Sequence, residues 1–146
     1  MIMDTNDMET SMIIGQWQTC VEMANSVSQR RDTMNNTFIT VNLALIATVT
    51  ITWNIKSVFV LLAGIVLCLI WKRFIINYKI LNEVKFEVIH EIEKKLPVAP
   101  FCSEWNRLCS TRKYTDGTKL EGLIPLFFLI VYFAALVTIG LIKILT

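Results

Sequence analysis

Residues 37–53 read TFITVNLALIATVTITW, and after a polar patch at Asn54, Ile55, Lys56 and Ser57 the chain returns over residues 58–71 as VFVLLAGIVLCLIW. The first limb carries no charge and reaches the ~17-residue lower limit for crossing hydrocarbon. The second is short alone, but Phe74, Ile75 and Ile76 lengthen it, because Lys72 and Arg73 can carry their charges to the interface on aliphatic stems. Two such limbs joined by a tight turn are hard to bury in a water-soluble chain of 146 residues. The stretch from Thr37 to Ile76 therefore reads as a transmembrane hairpin, with Trp53 and Trp71 as interfacial anchors.

Composition agrees. The hydrophobic fraction is 54% and mean hydropathy is positive, which places the chain in the membrane class. Its length allows one membrane domain and a modest extramembrane part, without a separate catalytic domain of ordinary size. A net charge of +2 gives no bulk basic field, so no long nucleic acid is expected as a partner. Cys20, Cys68, Cys102 and Cys109 are scattered. Cys102 and Cys109 lack the second pair or nearby histidine that zinc needs, so no metal and no cofactor is expected. The opening MIMDTNDMET is acidic, unlike a cleavable signal peptide.

Residues 1–11 are polar and expected to fray. From Met12 to Asn36, Ile13, Trp17, Cys20, Ala24, Val27, Arg31 and Met34 fall at alternating spacings of four and three. Such a stripe either packs on the protein's own helices or forms a coiled-coil contact between protomers. After the hairpin, KRFIINYKILNEVKFEVIHEIEKKL predicts a long amphipathic extension of the second span. Tyr78, Leu81, Val88, Ile92 and Leu96 form its apolar face, and Lys79–Glu83 and Glu91–Lys95 are helical ion pairs. The two extensions are expected to pack together as a cytoplasmic stalk. Pro97 stops the helix, Ser103 can cap a short helix carrying Glu104 and Trp105, and Asp116-Gly117 signals a turn. Thr118 and Glu121 have capping-box spacing. Leu123 to Ile142 then forms a third span, with Pro125 in its opening turns.

Cation counting sets the topology. With the N-terminus inside, Arg30, Arg31, Lys72, Arg73, Lys79, Lys85, Lys94, Lys95, Arg107, Arg112, Lys113 and Lys119 are cytoplasmic, and only Lys56 and Lys143 are outside. Three spans, N-terminus in and C-terminus out, follow.

The run WKRFIINYKILNEVKFEVIHEIEKKLPVAPFCSEW, followed by KYTDGTKLEGLIPLFFLIVYF, resembles the RipA-type octameric inner-membrane proteins of bacteria. The likeness rests on Lys85-Phe86, Glu91, Leu96-Pro97, Pro100-Phe101, Glu104-Trp105, Glu121 and Pro125, and covers most of the chain beyond the acidic start. The long helix entering a two-span hairpin also looks like the SLATT membrane effectors of nucleotide-signalled antiviral systems, which have two spans rather than three. The resemblance implies a homo-oligomer, an octamer by the first family, in the bacterial cytoplasmic membrane. It implies a pore as one use of that assembly, and supplies no catalytic residue.

Enzymatic motifs are missing from the sequence, which has no Walker loop, GxGxxG or GxSxG. The single histidine, His90, reads as a solvated helix position, as do Glu87, Glu91 and Glu93 among their lysines. The chain is not expected to be an enzyme. In the first span Thr37, Thr40, Ala44, Thr48 and Thr52 make a small, hydroxylated stripe with Asn42 offset. It serves either helix packing or a wetted lumen. Asn42 needs a hydrogen-bond partner in the membrane. Gly64 and Cys68 form a small-xxx-small pair suited to close approach of a helix. Trp105, Arg107, Arg112, Lys113 and Tyr114 mix cations with aromatic rings, fit for acidic lipid headgroups first and for a cytoplasmic nucleotide signal second.

The expected fold is an all-α membrane protein with three transmembrane helices and long cytoplasmic helical extensions, assembled as a homo-oligomeric ring. Residues 1–36 form the N-terminal amphipathic helix, 37–76 the transmembrane hairpin, 77–121 the cytoplasmic helix and loop, and 122–146 the third transmembrane helix. The leading function is a gated pore acting as an anti-phage effector. The alternative is a non-conducting scaffold for the envelope. Expected partners are further copies of the chain, membrane lipid, and a cytoplasmic nucleotide signal or partner protein.

Overall fold

A computed structural model describes residues 5–52, 56–111 and 116–145, apart from the side chains of Thr5, Thr52 and Leu145. These residues form helices α1 (Thr5–Thr52), α2 (Ser57–Glu93), α3 (Pro100–Ser110) and α4 (Gly117–Leu145), with no strand among them. Helices α1, α2 and α4 are each long and apolar enough to cross a membrane. The all-helical, three-span reading holds. Trp53, Asn54 and Ile55, which the sequence placed at the hairpin turn, lie outside the described residues.

The helix ends differ from the sequence expectations, each for a local reason. Residues 5–11 are helical rather than frayed, since extending a helix already nucleated costs one residue's ordering per bond gained. Helix α2 stops at Glu93, before Pro97. Lys95 N–H and Leu96 N–H donate to the carbonyls of Ile92 and Glu93 at 2.9 and 3.0 Å, a tightened last turn. Lys95 thereby leaves the helix, and the expected Glu91–Lys95 pair does not form; Lys79–Glu83 does, at 3.7 Å. Helix α3 starts at Pro100, and Ser103 bonds back to the Ala99 carbonyl instead of capping. At α4 the cap is Asp116, whose Oδ1 accepts the Thr118 N–H at 2.9 Å. The expected Thr118–Glu121 capping box is absent because both side chains reach α1 instead. Pro125 lies well inside α4, not in its opening turns.

The chain forms two compact units, one of Met1–Arg30 with Tyr78–Thr115 and one of Arg31–Asn77 with Asp116–Thr146. In the first, Ala24 and Val27 are buried, and Ile13, Trp17 and Cys20 are half-buried. The stripe on α1 is thus covered within the chain, so the intramolecular reading accounts for it. On α2 the inward face is Asn82, Phe86, Ile89 and Glu93. Leu81 and Val88, assigned to the packed face by hydropathy, are exposed. Tyr78, Ile92 and Leu96 of the hydropathy face are half-buried, so hydropathy found the inward face in part and missed polar Asn82 and Glu93 on it.

The second unit has a core of Val49, Leu61, Cys68, Trp71, Ile75, Phe128, Tyr132 and Ile139. Trp71 is 0% exposed and stacks on Phe38 with ring centroids 5.5 Å apart and planes 7° apart. It is therefore a core residue of the helix bundle, not an interfacial anchor in lipid. Its N–H is taken by Asn35 rather than by a headgroup.

Candidate functional site

Asn42 sits on the inward face of α1, fully buried among apolar side chains. Its Nδ2 donates to the Phe38 carbonyl at 2.7 Å, one turn back on the same helix. Its Oδ1 accepts from the Tyr132 hydroxyl of α4 at 2.7 Å and from the Cys68 thiol of α2 at 3.3 Å. One amide thus ties three helices at a single level. The expected partner for Asn42 exists, and it lies within the protomer. Unsatisfied, the amide would cost several kcal/mol in hydrocarbon.

Gly64 belongs to the same knot. A methyl group there would overlap the Tyr132 ring, so the missing side chain is what lets α4 place its phenol against α2. The Gly64–Cys68 pair therefore serves α2–α4 packing in one copy of the chain.

A second polar layer joins the same helices. Arg31 Nε donates to Glu121 Oε2 at 2.7 Å and its Nη2 donates to Thr118 Oγ1 at 2.9 Å. Asn35 Nδ2 donates to the same Glu121 oxygen at 3.0 Å, while Asn35 Oδ1 accepts the Trp71 indole N–H at 2.8 Å. Arg31, Asn35 and Asn42 follow at spacings of four and seven on α1, one face of a helix. The Arg31 guanidinium and the side-chain oxygens of Asn35 and Asn42 each have a partner on another helix.

The opposite face of α1 differs in kind. Thr37, Thr40, Ala44 and Thr48 are exposed, so the sequence-predicted stripe is used by no other helix of its own chain. The hydroxyls of Thr37, Thr40 and Thr48 each donate to a carbonyl four residues back at 2.9 Å. The outward face of α2 instead carries Phe59, Leu62, Val66, Leu69 and Ile70, and that of α4 carries Leu123, Phe127, Ile130, Phe133 and Val137. Large apolar side chains suit acyl chains; small hydroxylated ones suit close helix contact or water. The side chain of Thr52 lies outside the described residues.

In the other unit, Glu93 is 1% exposed. Its two carboxylate oxygens accept the N–H groups of Phe101 and Cys102, each at 3.0 Å. A carboxylate fits there because the first amides of a helix lack helical partners and carry its positive end. Phe101 is flanked by Trp17 and Phe86, with centroids 5.8 Å away in both cases. Glu93 is thus buried and not solvated as its neighbours suggested, whereas Glu87 and Glu91 are exposed. His90 also departs from expectation: its ring contacts Phe86, and its Nε2 is buried without a hydrogen-bond partner among the described residues. Trp105 and Arg107 are exposed on α3. Arg112, Lys113 and Tyr114 lie outside the described residues.

The structure therefore divides the sequence candidates. Asn42 and Gly64 meet at Tyr132; Thr40, Ala44 and Thr48 share the outward face of α1. Sequence reasoning missed Tyr132, Asn35 and Glu93. An asparagine four residues after Arg31 and a tyrosine within the third apolar run were available signals, since polar groups at such depths need partners.

The family model described as octameric membrane protein family (8xMP) matches residues 14–142. No curated protein and no solved structure matches the chain.

Proposed function

The chain belongs to the octameric membrane protein family, and from that premise we propose that it assembles into a membrane pore with α1 lining the lumen. The observation that carries the reading is the contrast between outward faces. α1 turns the small residues Thr37, Thr40, Ala44 and Thr48 outward beside Val41, Leu43 and Ile51, while α2 and α4 turn out mainly phenylalanine, leucine, isoleucine and valine. In a ring, the bulky faces meet lipid and the hydroxylated face meets water or the next copy. Thr52 extends the stripe in sequence.

The protein lies in the bacterial cytoplasmic membrane in this reading, N-terminus inside and C-terminus outside, as its lysines and arginines favour. Its role is permeabilisation on a signal rather than catalysis. We place that signal in an anti-phage setting, a part of the proposal that rests on the sequence resemblance of the hairpin to the two-span SLATT effectors. Trp105 and Arg107, with Arg112, Lys113 and Tyr114, offer cations and rings to acidic headgroups or to a nucleotide.

The test is conductance of the purified octamer in planar bilayers, with and without candidate nucleotides. Thr48→Leu places a larger apolar side chain on the lumen, and ion flux should fall while the octamer persists. Flux unchanged in an intact octamer removes α1 from the lumen.

The back-bonded threonine hydroxyls favour a second reading. A hydroxyl satisfied within its own helix needs no water, so the stripe equally suits dry contact between copies of a non-conducting envelope scaffold. There, Thr48→Leu disrupts assembly itself, and no voltage or ligand elicits current from the parent protein.

A further inference from the structure

Helix α4 is held to its own unit in two different ways along its length. From Pro125 onward, Pro125, Phe128, Tyr132 and Ile139 are buried, the last three in the apolar core. In residues 117–122, ahead of it, the one large apolar side chain is Leu120, and it is 57% exposed. This opening arm is tied to α1 by polar contacts instead. Glu121 accepts from Arg31 at 2.7 Å and from Asn35 at 3.0 Å, and Thr118 accepts from Arg31 at 2.9 Å.

Between arm and shaft the helix backbone is weakened twice within one turn. Pro125 has no N–H, so the Glu121 carbonyl loses its usual helical donor, and the proline ring crowds that carbonyl. Gly122 comes three residues earlier, and a methyl group built on it meets nothing within 4 Å. Packing inside the protomer therefore does not ask for glycine there, although alanine is the more stable residue in a helix interior. The weak turn falls where polar anchoring gives way to core packing. A few residues placed in this way can absorb the backbone change of a swinging segment.

We propose that Gly122–Pro125 is a hinge in α4, and that the Arg31–Glu121 ion pair is the latch that holds its arm against α1. The arm also receives the chain from α3 through residues 111–116, so a displacement of α3 pulls on the latch. Hinge and latch lie within one protomer and depend on neither reading of the threonine face.

The test uses the full chain with its four cysteines replaced by serine. Spin labels go on Asp32→Cys in α1 and Lys119→Cys in the arm, both exposed positions. Labelled copies are diluted with unlabelled ones in lipid nanodiscs, so that pairs within one chain dominate the dipolar signal. The parent should give one narrow distance. Arg31→Gln should add a second, longer distance, and Gly122→Ala combined with Pro125→Ala should remove it by restoring a continuous helix. A single distance in Arg31→Gln overturns the latch, and a longer distance that survives both alanines overturns the hinge. Should Arg31→Gln fail to fold, Glu121→Asp, which shortens the reach to Arg31 and keeps the charge, takes its place. Gly122→Ala alone should keep the octamer on native mass spectrometry and raise the melting temperature. A lost octamer or a lower melting temperature makes Gly122 a packing residue and overturns the proposal.

Discussion

The hydroxyl of Tyr132 meets the side-chain oxygen of Asn42 at 2.7 Å across the α1–α4 contact, with both residues fully buried. Buried hydrogen bonds between membrane helices average about 0.6 kcal/mol and reach about 1.7 kcal/mol. Tyr132→Phe should therefore destabilise the bundle by about 1 kcal/mol. Asn42→Leu should cost more, since it leaves the Tyr132 hydroxyl only the longer bond to the residue 42 carbonyl, at 3.4 Å, removes the acceptor of the Cys68 thiol and adds bulk. In a double-mutant cycle followed by unfolding in mild detergent, the pair should lose less than the sum of the single changes. Strict additivity would mean the bond contributes nothing.

Gly64→Leu should prevent α2 and α4 from closing on each other, because the Tyr132 ring fills the space. The expected result is loss of folded protomer, not merely a loosened octamer. Adding Tyr132→Ala should recover part of the yield. A well-folded monomer from Gly64→Leu alone would place the glycine between copies instead.

The Glu93 carboxylate holds two amides of α3, and hydrogen bonds to charged groups contribute about 1.5–3 kcal/mol each. Glu93→Ala should raise hydrogen exchange across residues 100–110 at least tenfold, with Glu93→Gln intermediate because one carbonyl oxygen remains. Exchange unchanged in both variants would show that the Trp17–Phe101–Phe86 contacts hold α3 unaided.

Arg31→Ala leaves Glu121 half-buried with only Asn35 as a donor. The expected loss is about 1–3 kcal/mol, read as a lower melting temperature in detergent. Glu121→Gln should be milder, since its amide oxygen can still accept from Arg31 and Asn35. Equal losses would argue for a mainly charge-based contact.

Legibility followed the size of the signal. Thr37–Trp53 and Val58–Ile76 announce themselves because many apolar residues add in one direction. Asn42 was singled out for the same reason, as a lone amide in apolar surroundings. Glu93 stayed hidden among Glu87, Glu91 and three lysines, where nothing local tells which carboxylate will meet a helix start several residues later. Trp71 misled because a tryptophan beside Lys72 and Arg73 has the composition of an interface whether it faces lipid or Phe38. Leu81 and Val88 misled in reverse: an apolar stripe marks a contact without saying which molecule supplies the other side.

The threonine hydroxyls of α1 already spend their protons on Ala44, Asn36 and Thr33 carbonyls. At Thr37, Thr40 and Thr48 a single copy therefore needs no neighbour to satisfy its hydroxyls, even with acyl chains against them. Insertion and folding of the protomer can precede recruitment of its neighbours. Two separable stages of biogenesis, insertion first and assembly second, are the expected consequence.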